Sequence, residues 1–275
     1  MSMKLGMIES AWFGTKIDPI TGVKLAKEIG FDTYDIYHDP RMTPIKERKK
    51  LRETLEEVGL KCVAMTTACP SITDINPTIR RFSIGWIKEQ LDLGYDLGCD
   101  KMVIALGEYI WEKQVIKPEE QWSWAVEAIR EIGDYAKDLD MQIAIELEPF
   151  KLSLINSIDA MIKFLDDVGH PAVKANADVS HLHLIRAPPE DLKRLGDRII
   201  HVHFSDNNGK VHGDLPPGRG NAPLKEYLKI LKEIGYNGAI SIELEFCPIP
   251  DKVIDWVKEA YTATAKMMDE LKIRE

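Results

Sequence analysis

The chain lacks any apolar run near the roughly 20 residues that span a bilayer, so no membrane-crossing helix is expected. Its start, MSMKLGMIES, has no charged-then-apolar layout of a signal peptide, which points to a cytoplasmic protein. Cysteine is sparse: residues 62, 69, 99 and 247 show no CxxC spacing, so neither a zinc knuckle nor a redox dithiol is signalled. Three of them fall in or beside apolar strand-like stretches, where reduced, buried thiols are expected. Positive charge is short as well: 36 Lys and Arg against 45 Asp and Glu give −9, which argues against a broad nucleic-acid face. The basic run Lys46–Arg52 reads as the solvated side of a helix. No G-x-G-x-x-G follows the first apolar stretch, where GMIESAWFG stands instead, so a dinucleotide-binding open sheet is disfavoured.

A repeated phrase is present: a helical stretch, a helix-ending glycine, then an apolar run of strand length. It recurs at 27–37, 56–65, 96–106, 166–178, 194–204 and 232–243. Two further strands, at 3–9 and 141–148, complete eight units, the latter with Asp138-Leu-Asp140 in place of the glycine turn. Between strands, apolar residues keep helical spacing, as at Ile129, Ile132, Ala136 and Leu139. Eight alternating units without a long linker, in 275 residues, predict one domain over 1–275: a single (β/α)8 TIM barrel of the α/β class. That fold demands a site at the carboxyl ends of the strands.

Those ends are polar. AIELEP (144–149) brings Glu146 and Glu148, and its echo SIELEF (241–246) brings Glu243 and Glu245. Between them come Asp178 with His181, then His201, His203 and Asp206. Alternation along a strand puts His201 and His203 on one side, as it does each Glu pair. Two carboxylates from opposite arcs, with an Asp and a His between, offer three oxygens and one nitrogen to a divalent ion. Such a set suits Mn2+ or Mg2+, with Co2+ or Zn2+ as alternatives.

The pattern Glu146, Asp178-Val-Ser-His181, His203-Phe-Ser-Asp206, Pro217-Gly-Arg-Gly220 and Glu243 resembles the xylose isomerase-like TIM-barrel superfamily along essentially the whole chain. That group includes sugar-phosphate isomerases, ketose 3-epimerases, hydroxypyruvate isomerase, inosose dehydratase and endonuclease IV. The resemblance implies one divalent metal ion held by Glu146, Asp178, His203 and Glu243. Glu148 is a rival to Glu146, because some relatives place Pro directly after the ligand, as Glu148-Pro149 does; strand length favours Glu146. It further implies a metal-dependent isomerase or epimerase acting on a small-molecule carbohydrate, a sugar, sugar acid or sugar phosphate. There the metal chelates a carbonyl and its neighbouring hydroxyl, and Glu146 and Glu243 pass a proton through an enediolate. A homodimer or homotetramer accords with relatives.

His181 is a candidate for a substrate oxygen, and Arg219 for a substrate phosphate or carboxylate, or else for pinning its own loop. Trp12, Tyr37, His38 and Trp111, with Phe13 and Tyr109, are candidates to line the sugar, and His212 and Asp214 to support the site from behind. Free-ketose 3-epimerases carry a Glu six residues after the first ligand and an Arg six residues after the His ligand. Here those positions are Leu152 and Gly209, which counts against a standard ketose 3-epimerase. The extra histidines of endonuclease IV are missing at Thr66-Thr-Ala-Cys69 and Leu106-Gly-Glu-Tyr109, which counts against a nuclease. A dehydratase working through the same enediolate, and a non-catalytic sugar-binding barrel, remain the competing readings.

Overall fold

The computed structural model describes residues 2–106 and 116–274. Eight parallel strands close into a barrel in chain order. They are β1 (Lys4–Ile8), β2 (Thr33–Ile36), β3 (Lys61–Ala68), β4 (Lys101–Ala105), β5 (Gln142–Glu146), β6 (Val173–Asp178), β7 (Ile199–Phe204) and β8 (Ala239–Ile242). Register between β1 and β8, with Gly6 beside Ser241 and Met7 beside Ile242, shuts the ring. All eight expected strands are present, and the single-barrel fold is the observed one.

Helices alternate with the strands: α1 (Pro19–Ile29), α2 (Ile45–Val58), α3 (Pro77–Asp96), α4 (Pro118–Asp138), α5 (Ile158–Val168), α6 (Val179–Leu184), α7 (Leu224–Glu233) and α8 (Val253–Leu271). Their starts are written locally. Asp18 accepts from the amides of Ile20 and Thr21, and Asn76 from Thr78, each ahead of a proline in the first turn. Their ends follow the repeated phrase: Gly30, Gly59, Gly98, Gly169, Gly196 and Gly235 all have positive φ. Asp140 takes the same left-handed conformation at φ 55° where the phrase has no glycine, as short polar side chains can. The helices bury one face against the strands; Ile129, Ile132 and Ala136 are fully buried in α4, whereas the Lys46–Arg52 stretch of α2 exposes most of its charges. Among the described residues no helix is long and apolar enough to cross a membrane.

Register carries polar residues inward at the carboxyl ends. Asp178 lies beside His203, and His203 beside Ser241, so β6, β7 and β8 deliver their polar termini at one level. Glu146 closes β5 one residue beyond the Ile145–Ala175 pair, level with Asn176.

Candidate active site

The center of the site is an imidazole between two carboxylates. His203 Nδ1 lies 2.8 Å from Glu146 Oε1 and 3.1 Å from Glu243 Oε2. Neither contact has the direction of a hydrogen bond, and the far oxygen of buried Asp178 has no hydrogen-bond partner either, with His181 Nδ1 3.4 Å away. Donors that converge on a common point, and not on one another, produce this pattern. One ligand atom each from Glu146, Asp178, His203 and Glu243 lies within 4.8 Å of all the others, so these four fit a divalent ion, three oxygens and one nitrogen. Glu148 stands outside the group, in the loop after β5.

Asp178 serves two neighbours. Its Oδ1 accepts from the His181 amide at 2.9 Å and starts α6, leaving Oδ2 toward the cluster. Asn176 donates from Nδ2 to Glu146 Oε1 at 2.6 Å and fixes that carboxylate from below.

The electrostatics reflect crowded negative charge. Burial would raise Glu146, but the charge of His203, helped by that of His181 and by the Asn176 hydrogen bond, holds it down to about 2. Burial pushes Glu243 well above the usual carboxylate range against the pull of His203, and the charges of Asp178 and Glu146 add to the rise. Burial opposes a charge on His203, yet the two glutamates raise it well above an ordinary imidazole. A proton on His203 supplies the positive charge these carboxylates require; a dication would supply more and displace it.

A second set flanks the first. His181 Nδ1 lies 2.7 Å from the Leu147 carbonyl, to which it donates, and Nε2 lies 2.7 Å from His212 Nε2. Burial acts to lower His181, but Asp178, Glu148, Glu146 and Asp214 together carry it up to about 10. Asp214 accepts from Ser205 Oγ at 2.9 Å, and donor atoms of His212, Asp214 and Glu245 also lie within 4.8 Å of one another. Burial, with the charges of Asp214 and Glu146, raises Glu245 to about 7. The Phe150 ring packs on His212 with centroids 5.9 Å apart.

The remaining sequence candidates are dispersed. Trp12 is in the hydrophobic core, its indole donating to the Tyr34 hydroxyl at 3.0 Å. The Tyr37 ring meets Phe13 edge-on at 5.5 Å, both partly exposed at the rim. His38 Nε2 lies 2.8 Å from Glu9 Oε1, and the other oxygen of Glu9 accepts from the Tyr37 amide. Arg219 directs its guanidinium onto both oxygens of Glu259 at 2.7 Å and stacks over Trp256, so its fork is engaged by α8. Trp111 and Tyr109 lie outside the described residues. Leu152 stands in the turn after β5, and the Gly209 amide donates to Asn207 Oδ1 at 2.7 Å.

Several participants escaped the sequence reading. Glu9 and Asn176 are single polar residues at the end of, or within, apolar strands. Asp35 pairs with His201 Nε2 at 2.8 Å beneath His203, both fully buried. Burial holds His201 below its ordinary value, so the neutral ring donates from Nε2; that bond keeps Asp35 ionised despite its own burial. The signal for this pair was the His-x-His alternation of β7, which predicts an inward His201 without naming its partner.

The fold and site together define a (β/α)8 barrel protein with a carboxylate and imidazole cluster at the strand carboxyl ends that could hold a metal ion. The profile of the xylose isomerase-like TIM barrel family matches residues 23–267, and the chain belongs to that family. It is 24% identical to fructoselysine 3-epimerase of Escherichia coli O157:H7, covering 80% of this chain and 82% of the relative. It is 27% identical to D-psicose 3-epimerase of Ruminiclostridium cellulolyticum, covering 80% and 75%. The solved D-psicose 3-epimerase of Clostridium cellulolyticum H10, crystallised with D-tagatose, superposes with a TM-score of 0.82 over 99% of this chain and all of that one, at 22% identity.

Proposed function

We propose that this chain is a divalent-metal-dependent carbohydrate epimerase or isomerase acting on an open-chain ketose or aldose. One observation carries the reading: two glutamates from opposite arcs of the barrel, buried Glu146 and half-buried Glu243, converge on one imidazole together with Asp178. The names of the relatives, epimerases of ketoses and of a ketose–lysine conjugate, support the same reaction class.

Glu146, Asp178, His203 and Glu243 would hold the ion, Mn2+ or Mg2+ by the oxygen-rich donor set. When bound, it supplies Lewis acidity toward a substrate carbonyl and the adjacent hydroxyl. The chain's own residues do the rest. One glutamate takes the proton from the carbon beside the carbonyl, and the other returns one from the opposite face (epimerisation) or to the neighbouring carbon (isomerisation). Asn176 keeps the Glu146 carboxylate aimed. His181, its Nδ1–H committed to Leu147 and its Nε2 2.7 Å from His212 Nε2, would reach the substrate oxygens together with His212. With Leu152 and Gly209 where free-ketose epimerases carry Glu and Arg, the far end of the substrate must be read by other groups, and His212 and Phe150 are positioned for it.

The test is proton NMR of the Mn2+-loaded protein with a panel of ketoses and aldoses in heavy water. Deuterium entering a product of unchanged formula supports the proposal, and Glu146→Gln and Glu243→Gln should each abolish it. A keto-deoxy product would assign a lyase instead. No exchange across the panel, or exchange and metal content untouched by both substitutions, would sink the reading.

A further inference from the structure

At the other end of the barrel, two thiols that the site does not use lie side by side. Cys62 is the second residue of β3, and Cys99 stands two residues before β4 begins. Their Sγ atoms are 3.0 Å apart, about 1 Å beyond the length of a covalent S–S bond. The backbone sets this approach. The Asp100 amide donates to the Val63 carbonyl at 3.4 Å, which lays the lead-in to β4 along the start of β3. The Cys99 amide is tied to the Gly94 carbonyl at 2.9 Å, so the residue is anchored from the α3 side as well. Cys69 and Cys247, the other two thiols, have no sulfur partner among the described residues.

We propose that Cys62 and Cys99 are a cross-linking site, at which a disulfide joins β3 to the turn before β4. The reaction balances by exchange with a low-molecular-weight disulfide such as oxidised glutathione. One cysteine thiolate attacks that disulfide, forming a mixed disulfide and releasing one thiol. The second cysteine then attacks the first cysteine's sulfur, forming the Cys62–Cys99 bond and releasing the second thiol. In sum two protein thiols lose two protons and two electrons, and one external disulfide becomes two thiols. Cys62 and Cys99 are 3% and 5% exposed, so the exchange belongs to the folding chain or to its local openings. A groove of about 550 Å³ lined by Leu55, Leu60, Lys61, Cys62, Leu97 and Gly98 reaches Cys62 from outside. Burial raises the Cys62 thiol well above its ordinary value, which slows attack from the closed state.

The bond spans 37 residues of sequence, a long enough loop to restrict the unfolded chain appreciably. It lies at the amino ends of the strands, away from Glu146 and Glu243 at the carboxyl ends, so it should alter stability and leave metal content unchanged.

The protein is refolded with oxidised glutathione, denatured in excess alkylating agent, and its intact mass measured. Two alkyl groups, rising to four after reduction, are expected. Peptide mapping should join residues 62–80 to 89–101, and Cys69→Ser should retain the link. Melting temperature should fall by several degrees when reductant is added to wild type and to Cys69→Ser, and should not move in Cys62→Ser. Four alkyl groups before reduction, a link through Cys69 or Cys247, or a reductant effect that persists in Cys62→Ser would each overturn the proposal.

Discussion

Asn176 illustrates how one side chain in a strand sets the chemistry of another. Its amide donates to Glu146 Oε1 at 2.6 Å with both residues buried, and a hydrogen bond to a charged group is worth about 1.5–3 kcal/mol. Asn176→Ala should lower the rate of substrate deuterium exchange by about 10- to 100-fold. Because the bond favours ionised Glu146, its loss should also move the acidic limb of the pH–rate profile upward, a shift that a merely weakened fold would not give. Unchanged rate and profile would remove Asn176 from the positioning role.

Titration of the site gives a second residue-scale prediction, with opposed signs. Glu146 sits at about 2 in the folded protein against an ordinary 4.5, so its contribution to stability is present above 4.5 and is lost as pH falls toward 2. Glu245 is raised from 4.5 to about 7, so its contribution is complete below 4.5 and is lost as pH rises through 7. His181, raised from 6.5 to about 10, adds a loss that runs from 6.5 through 10. Metal-free protein should therefore melt highest near pH 5, with melting temperature declining on both sides. Glu245→Gln should flatten the decline between pH 4.5 and 7 and leave the acid limb in place. A wild-type curve that keeps rising to pH 8 with chelator present would contradict the assignment.

Among the elements, the loop between β7 and α7 is organised by one carboxylate. Asp206 accepts from the amides of Asn207, Gly218, Gly220 and Ala222 at 2.8–3.0 Å, and at Gly220 an added Cβ would meet the Asn207 carbonyl at 2.2 Å. Removing the acceptor leaves several amides unpaired, each costing about 1–3 kcal/mol where water cannot replace it. Asp206→Ala should be cut by trypsin at Lys210 and Arg219 many times faster than wild type, and, since His212 and Asp214 ride on this loop, should lose the His181–His212 contact. Equal cleavage rates would show that the loop holds itself.

The same loop shows what the sequence could and could not convey. The helix-to-strand phrase marks six of the strands because a left-handed helix end followed by an apolar run is a local event, and Asp140 obeys it ahead of β5 without glycine. The HFSD and PGRG stretches stand out as polar and turn-rich, yet nothing local says that Asp206 closes onto Gly218 and Gly220 twelve and fourteen residues on. The four converging residues were legible because each lies at, or one residue from, a strand's carboxyl end and a barrel sends those ends to one place. Pairs such as Asp35 with His201, or Glu9 with His38, were not: they depend on which strand faces which across the ring. Arg219 shows the same limit, since a turn-rich loop names a free cation but not the Glu259 on α8 that engages it.

For the molecule as a whole, the carboxyl end of the barrel is a concentration of buried negative charge that the fold sustains at a cost to its stability. Glu243 is driven upward chiefly by burial, and then by Asp178 and Glu146, which means that its ionised form opposes folding. A ligand that binds only the folded state at 100 times its dissociation constant adds about 2.7 kcal/mol. For a chain of 275 residues, in which 1 kcal/mol shifts the melting temperature by about 2 °C, saturating Mn2+ should raise melting by about 5 °C over chelator-treated protein. Glu243→Gln separates the two halves of this argument. Gln resembles the neutral acid in shape, so the variant should melt as high as wild type or higher without metal, while most of the Mn2+-induced rise disappears. The cluster would then trade stability for a binding site, as functional sites commonly do. A Glu243→Gln protein that melts lower than wild type in chelator, yet keeps the full rise with Mn2+, would show instead that Glu243 supports the fold and not the metal.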